Sequence, residues 1–93
     1  MKTGLELNKQ LLEEQPKIFT TSDLGCAAAL VTVGLELVSL DKTNSRRVLF
    51  GFREGVEVEE AFGAYFCDKM NVGARAYFDN IKMLKNRIYS SKS

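Results

Sequence analysis

The fold is decided by residues 47–53, RVLFGFR, whose side chains alternate with the two-residue period of a β-strand. Val48, Phe50 and Phe52 fall on one face of this strand. Leu49 and the two terminal arginines fall on the other face. This alternation predicts a strand with one face turned to the core, and we expect the two phenylalanines to be buried there.

The strand is predicted to be the second half of a β-hairpin. The preceding run, Leu35–Leu40, is strand-like, with apolar residues on both faces. Residues 41–45, DKTNS, have the composition of a turn. Further upstream, Ile18–Thr20 is expected to be a short third strand.

A helix is predicted between the first strand and the hairpin. Thr21 is assigned as its N-cap, with Ser22 and Asp23 in the first turn, where negative charge suits the helix dipole. Gly34 supplies the positive φ that ends many helices. The apolar positions of this helix repeat at i, i+3, i+4 and i+7: Leu24, Ala27, Ala28 and Val31.

Two amphipathic helices are predicted after the hairpin, separated by a loop at Met70–Gly73. The first opens with acidic residues and continues with an inner face: Val58, Ala61, Phe62 and Tyr65. The second covers Ala74–Tyr89 and has its own apolar side: Tyr77, Phe78, Ile81, Leu84 and Ile88. From both helices and the hairpin we assign six large side chains to the core: Phe50, Phe52, Phe62, Tyr65, Phe78 and Ile81.

The element order is therefore (β)αββαα over residues 18–90. This order predicts a small two-layer α+β domain, with helices packed on one face of a short antiparallel or mixed sheet. Residues 1–17 are interpreted as a polar leader or loosely docked helix, or alternatively as a dimerising or partner-binding arm. Residues 91–93 are a tail.

Composition narrows the class of protein. Ninety-three residues with 45% apolar and 27% charged side chains are expected to form one globular domain. Thirteen basic residues against twelve acidic residues leave a net charge of +1, so bulk charge favours no class of partner. No apolar run is long enough to span a membrane, and Cys26 and Cys67 do not form a disulfide framework. We therefore expect a cytoplasmic protein.

Enzymatic activity is not expected. The chain has no histidine, which removes the commonest acid–base group and the usual zinc partner of a cysteine. Glu57, Glu59 and Glu60 are explained by the start of a helix. Cys67 lacks an evident activator beyond Lys69, and no glycine pattern forms a phosphate loop. The sequence therefore predicts no catalytic residue, cofactor, metal or small-molecule substrate.

Nucleic acid is the first candidate partner. The βαββα order resembles RNA-recognition folds, which place aromatic and basic residues on the same sheet face. In residues 47–53, however, the phenylalanines and the arginines fall on opposite faces. What remains is a basic surface on the hairpin and the last helix, where Tyr89 can stack on a base. Six residues are its candidates: Arg46, Arg47, Arg53, Arg75, Lys82 and Lys85. The alternative is an ordinary solvated helix face that balances the acidic helix before it.

A protein partner is the second candidate. Leu35, Leu37 and Leu49 leave apolar surface that a small domain can bury by pairing, and the hairpin edge can extend across a homodimer. Docking on another protein leaves almost no sequence motif, so the sequence does not separate the two classes of partner.

Several short patterns resemble a family of small proteins of bacteria, phages and mobile elements, described only as a domain of unknown function. The patterns are FTTSDL at 19–24, GLEL at 34–37, RVLFGF at 47–52, Tyr65-Phe66 and LKNRIY at 84–89. The resemblance covers Phe19 to Tyr89 and implies a bacterial or infected-cell cytoplasm. It implies no reaction, cofactor or catalytic residue.

Overall fold

The structure, a computed structural model, describes residues 17–44 and 46–90. The predicted leader, apart from Lys17, and the predicted tail lie outside the described residues. The elements follow the order β1 (Ile18–Thr21), α1 (Leu24–Thr32), β2 (Leu37–Asp41), β3 (Leu49–Arg53), α2 (Val56–Phe66) and α3 (Ala74–Ser90). The predicted α+β class and the βαββαα order are confirmed.

The three strands form one antiparallel sheet in the order β1-β3-β2. The last strand in sequence is therefore the central one. β1 and β2 run parallel to each other on its two sides, and α1 connects them by crossing the sheet. Phe52 lies opposite Phe19 of β1 and Leu37 of β2, so these three side chains share one face.

Both hairpin strands begin two residues later than the sequence predicts. Leu35 does not pair in the sheet, because its N–H donates to the carbonyl of Leu30 at the end of α1 (3.0 Å). The register of β2 against β3 shifts between Leu37 and Ser39, which makes Val38 the extra residue of a bulge. The predicted third strand is a full member of the sheet and extends to Thr21.

Helix α1 is buried on every side along its central five residues, Cys26–Leu30. It packs against the sheet, against α2 and against α3. A helix that is apolar all round belongs inside a protein, and the three alanines let its neighbours approach closely. This nine-residue helix is thus the centre of the domain.

The N-cap of α1 is Asp23, and the assignment of Thr21 is wrong. The Asp23 carboxylate accepts a hydrogen bond from the N–H of Cys26 (2.8 Å). Thr21 still belongs to β1, opposite Phe50. Its hydroxyl accepts from the N–H of Asp23 (3.1 Å) and so links strand and helix.

Five of the six predicted core side chains lie in or against the core. Phe50 and Phe52 are buried in it, and Phe62, Tyr65 and Ile81 are half-buried against it. Phe78 is the exception, and its assignment to the core is wrong, because 56% of its surface is exposed.

Candidate nucleic-acid interface

The last helix, α3, has two different faces. Its inner face packs on the core through Tyr77, Ile81, Leu84 and Ile88. At 100° per residue, five exposed residues cluster along one flank of the helix, about 100° around it from the centre of the buried face. We call this set the outer stripe: Arg75, Phe78, Lys82, Lys85 and Tyr89. Three cations and two aromatic rings therefore share one solvent-facing side of a single helix.

Phe78 is exposed because the buried face of α3 is too narrow to include it. Tyr77 and Ile81 already lie on that face, and Phe78 follows Tyr77 by one residue, a rotation of about 100° around the helix. Since α3 packs mainly on the short helix α1, only a narrow strip of it is covered. The ammonium of Lys82 lies 5.3 Å from the centre of the Phe78 ring, a cation–π contact one turn along the helix.

A hairpin lysine joins the turn to the carboxyl end of α3. The Nζ of Lys42 donates to the carbonyls of Ile88 (3.1 Å) and Arg87 (3.4 Å). These carbonyls belong to the last turn of the helix, where the partial charge is negative and a cation is stabilised. The contact places the hairpin turn beside the Tyr89 end of the outer stripe.

Side-chain hydrogen bonds fix the described part of the turn. The Asp41 carboxylate accepts from the hydroxyl (2.6 Å) and the N–H (2.9 Å) of Thr43, and these bonds lower the pKa of Asp41. Asn44 accepts from the N–H of Arg46 (2.9 Å) and of Arg47 (3.0 Å). Both arginines are exposed. They therefore lie at the end of the hairpin that Lys42 holds against α3.

Arg53 lies apart from the other candidates. Six residues of extended chain separate it from Arg47, a distance of about 20 Å. At its own end of β3, Arg53 lines an open depression of about 450 Å³ together with Glu36, Glu54 and Glu57. Its surroundings are acidic, so the structure does not bring it together with the outer stripe.

Arg75 lies at the other end of the outer stripe, near the start of α3. Its Nε is 3.7 Å from a carboxylate oxygen of Asp79, one helical turn away. The Arg75 side chain is 91% exposed, so the pair is solvated and weak. The guanidinium remains available to an anion that approaches this face.

Sequence reasoning missed two contributors to this surface, Lys42 and Phe78. The contact of Lys42 spans 46 positions of sequence, and no local pattern indicates it. The exposure of Phe78 could have been predicted from the sequence. A buried face that includes both Phe78 and Tyr77 is wider than the face that a helix usually buries against a small core.

Two further reactive side chains, Cys26 and Tyr65, are used in packing. Burial, together with the charge of Asp23, raises the pKa of the Cys26 thiol to about 11, so the thiolate is scarce at neutral pH. A hydrogen bond to the Tyr77 hydroxyl, together with burial, raises the pKa of Tyr65 to about 12. The hydroxyl of Tyr77 in turn donates to the carbonyl of Gly25 (3.1 Å).

Among residues 17–44 and 46–90, no three His, Cys, Asp or Glu side chains are grouped so as to hold a metal ion. None of the helices in these ranges is long and apolar enough to cross a membrane.

Residues 16–90 match the model of a protein family described as a domain of unknown function, DUF5659. The chain belongs to the DUF5659 family. The match covers β1 to α3, so all six elements of the fold lie within the DUF5659 domain. No curated protein and no solved structure matches the chain.

Proposed function

We propose that this DUF5659 protein is a non-enzymatic accessory module that binds single-stranded nucleic acid through the outer stripe of α3 and the adjoining hairpin arginines, Arg46 and Arg47. One observation carries the proposal: three cations and two exposed aromatic rings lie along the same solvent-facing side of one helix. Binding of single strands needs this combination, because cations pair with phosphates while aromatic rings stack on bases.

The dimensions of the surface suit a short oligonucleotide. Arg75 and Lys85 are ten residues apart, or about 15 Å along the helix axis. The contact between Lys42 and the end of α3 continues the basic surface onto the hairpin, where Arg46 and Arg47 are exposed. A single nucleic-acid strand that runs along α3 onto the hairpin thus meets a cation at each end of its path and aromatic rings between them.

The sheet supports the proposal less well than the helix. Its inner face holds Phe19, Phe50 and Phe52 against the helices. On its other face, the described strands carry no aromatic side chain, and the central position is Gly51, where an added Cβ would meet the side chains of Ser39 and Ile18. RNA-recognition folds stack bases on the open face of the sheet, so this domain would use a different surface.

Fluorescence anisotropy with labelled single-stranded DNA and RNA across a salt series tests the proposal. The expected result is binding that weakens steeply with salt. Lys82→Ala/Lys85→Ala should lower affinity and reduce the slope of log K against log salt by about 1.4, or about 0.7 for each lost phosphate contact on a single strand. Phe78→Ala/Tyr89→Ala should lower affinity by about 1–3 kcal/mol for each stacked base and leave that slope unchanged.

Lys17→Ala is the matched control, because it removes a lysine at the start of β1, where the neighbouring backbone contact is with Glu54. It should bind as the wild type does. Absence of binding at low salt contradicts the proposal, and so does equal loss in the control and in Lys82→Ala/Lys85→Ala. Preference for double-stranded over single-stranded DNA contradicts the stacking role of Phe78 and Tyr89.

The proposal includes a compartment. A nucleic-acid partner, together with the resemblance to proteins of bacteria and phages, supports a location in the cytoplasm of a bacterium or of an infected cell. Fractionation of cells that express a tagged protein checks this, and recovery in the membrane or secreted fraction contradicts it.

A further inference from the structure

A second surface of the domain is apolar at its floor and acidic at its rim. An open depression of about 410 Å³ lies between the end of α1 and the exposed side of α2. Its floor is formed by five apolar residues: Val33, Leu35, Ala61, Ala64 and Met70. Leu35 and Glu57 also line the depression beside Arg53, so the two adjoin. We call the combined surface the acidic groove.

The charges of the acidic groove are predominantly negative. Its lining residues include four carboxylates and one guanidinium: Glu36, Glu54, Glu57, Glu60 and Arg53. Within residues 17–44 and 46–90, the salt bridge is that of Arg75 with Asp79, so none of these four carboxylates has an ion-pair partner there. The groove therefore combines partly exposed apolar surface with a net negative charge, which favours a basic partner that also carries apolar side chains.

The same chain carries a surface of that chemistry. The outer stripe has three cations, and its aromatic residues are exposed, Phe78 by 56% and Tyr89 by 74%. Helices α2 and α3 both pack on α1 and make little contact with each other. The acidic groove and the outer stripe therefore do not neutralise each other within one molecule, and both remain open to a second one.

We propose that the acidic groove binds the outer stripe of a second copy of the chain. Phe78 of one copy would pack on the apolar floor near Leu35 and Met70. Lys82 and Lys85 would lie against the rim carboxylates. We propose a head-to-tail contact, in which each copy uses its groove for one neighbour and its outer stripe for another, so that association continues to rings or open chains.

This inference does not rest on nucleic-acid binding, but it has a consequence for it. Self-association covers the outer stripe, so an oligonucleotide and a second copy compete for the same helix. Excess single-stranded oligonucleotide should then dissociate the assemblies by mass action.

Sedimentation velocity from micromolar to millimolar protein at low salt tests the inference. The wild type should rise with concentration from the 10.4 kDa monomer to masses beyond the dimer. Glu57→Lys/Glu60→Lys and Lys82→Glu/Lys85→Glu should each remain monomeric, because in each variant the groove and stripe have the same sign of charge. An equal mixture of the two variants should associate again. The native stripe of the first variant can bind the native groove of the second, and the two charge-reversed surfaces also attract each other.

Glu59→Lys is the matched control, because Glu59 lies in the same first turn of α2 but does not line the groove. It should associate as the wild type does, and circular dichroism verifies that every variant is folded. A wild-type mass independent of concentration overturns the inference, and so does a mixture of the two charge-reversed variants that stays monomeric. Glu57→Lys/Glu60→Lys keeps the outer stripe, so its oligonucleotide binding tests the proposed function separately.

Discussion

At the scale of single residues, Gly25 shows how closely the helices approach. Its carbonyl accepts the hydrogen bond from Tyr77, and the Tyr65 hydroxyl hydrogen-bonds to Tyr77 in the same place. A Cβ at position 25 would lie 2.5 Å from the Tyr65 hydroxyl oxygen and 3.2 Å from that of Tyr77. The absence of a side chain at Gly25 thus allows Tyr65 of α2 and Tyr77 of α3 to pack closely against α1.

Gly25→Ala is therefore expected to destabilise the protein. Alanine is favoured over glycine in a helix by about 1 kcal/mol, but the overlap with Tyr65 should cost about 1–3 kcal/mol. Urea denaturation measures the balance. Adding Tyr65→Phe removes the overlapping hydroxyl, so the double variant should lose less stability than the sum of the single variants. Strict additivity would contradict this contact.

Two phenylalanines with similar sequence signals are expected to behave differently. Phe50 is 1% exposed, so Phe50→Ala should lower the free energy of unfolding by about 3–5 kcal/mol. Phe78 is exposed on the outer stripe, so Phe78→Ala should change stability by less than about 0.5 kcal/mol. Thermal denaturation of both variants measures the difference. A large loss of stability in Phe78→Ala would indicate that this side chain packs in the core, and would contradict its exposed position.

At the scale of elements, α1 and α2 end in the same way but with different residues. In each helix, the N–H groups of the two residues that follow the C-cap donate to carbonyls of the last turn, which is the pattern of a Schellman motif. The residue after the cap has positive φ in both, Gly34 at 103° and Asp68 at 59°. Glycine adopts this conformation without a steric penalty, whereas aspartate does not.

Asp68→Gly is consequently expected to stabilise the protein by about 0.5–1 kcal/mol. Gly34→Ala is the reverse control: a Cβ there meets no atom within 4 Å, so any loss of stability comes from the backbone conformation alone. Urea midpoints of the two variants should move in opposite directions. A loss of stability in Asp68→Gly would show that the carboxylate makes a contribution larger than the backbone cost.

The elements were predictable where one local signal decides them. The alternation of residues 47–53 and the glycine at 34 led to the correct strand and helix end. The N-cap was not decidable locally, because Thr21, Ser22 and Asp23 are all capping residue types. The sheet register settles it, since pairing with Phe50 commits Thr21 to the strand.

At the scale of the whole molecule, the buried thiol of Cys26 and the half-buried hydroxyl of Tyr65 make the free energy of unfolding depend on pH in the alkaline range. The pKa of Cys26 is raised by burial and by Asp23 to about 11, and that of Tyr65 is raised by its bond to Tyr77 and by burial to about 12. The folded state therefore holds these protons at pH values where the unfolded chain has lost them. By linkage, their stabilisation is complete below about pH 9 and is lost as the pH rises towards 12.

The free energy of unfolding is accordingly expected to fall from about pH 9 upward. Cys26→Ala should flatten the fall between about pH 9 and 11, and Tyr65→Phe should flatten it between about pH 10 and 12. Urea denaturation at a series of pH values measures these slopes. Curves parallel to that of the wild type would contradict the assignment of these two groups.

The candidate interface was only partly predictable because it is assembled across the fold. The charges of α3 are visible in the sequence, and helical periodicity places Arg75, Lys82 and Lys85 on one side. The contact of Lys42 with the helix end and the separation of Arg53 from it depend on tertiary packing. A list of basic residues therefore could not show which of them share a surface.

The outer stripe as a binding surface is tested most directly by titrating a single-stranded oligonucleotide into isotope-labelled protein and following the backbone amide resonances. The largest shifts should lie along the exposed side of α3, between Arg75 and Tyr89, and at Arg46 and Arg47. Thr20 and Gly51 on the sheet should change little. Shifts centred on the sheet, or no shifts at low salt, would contradict binding through this helix.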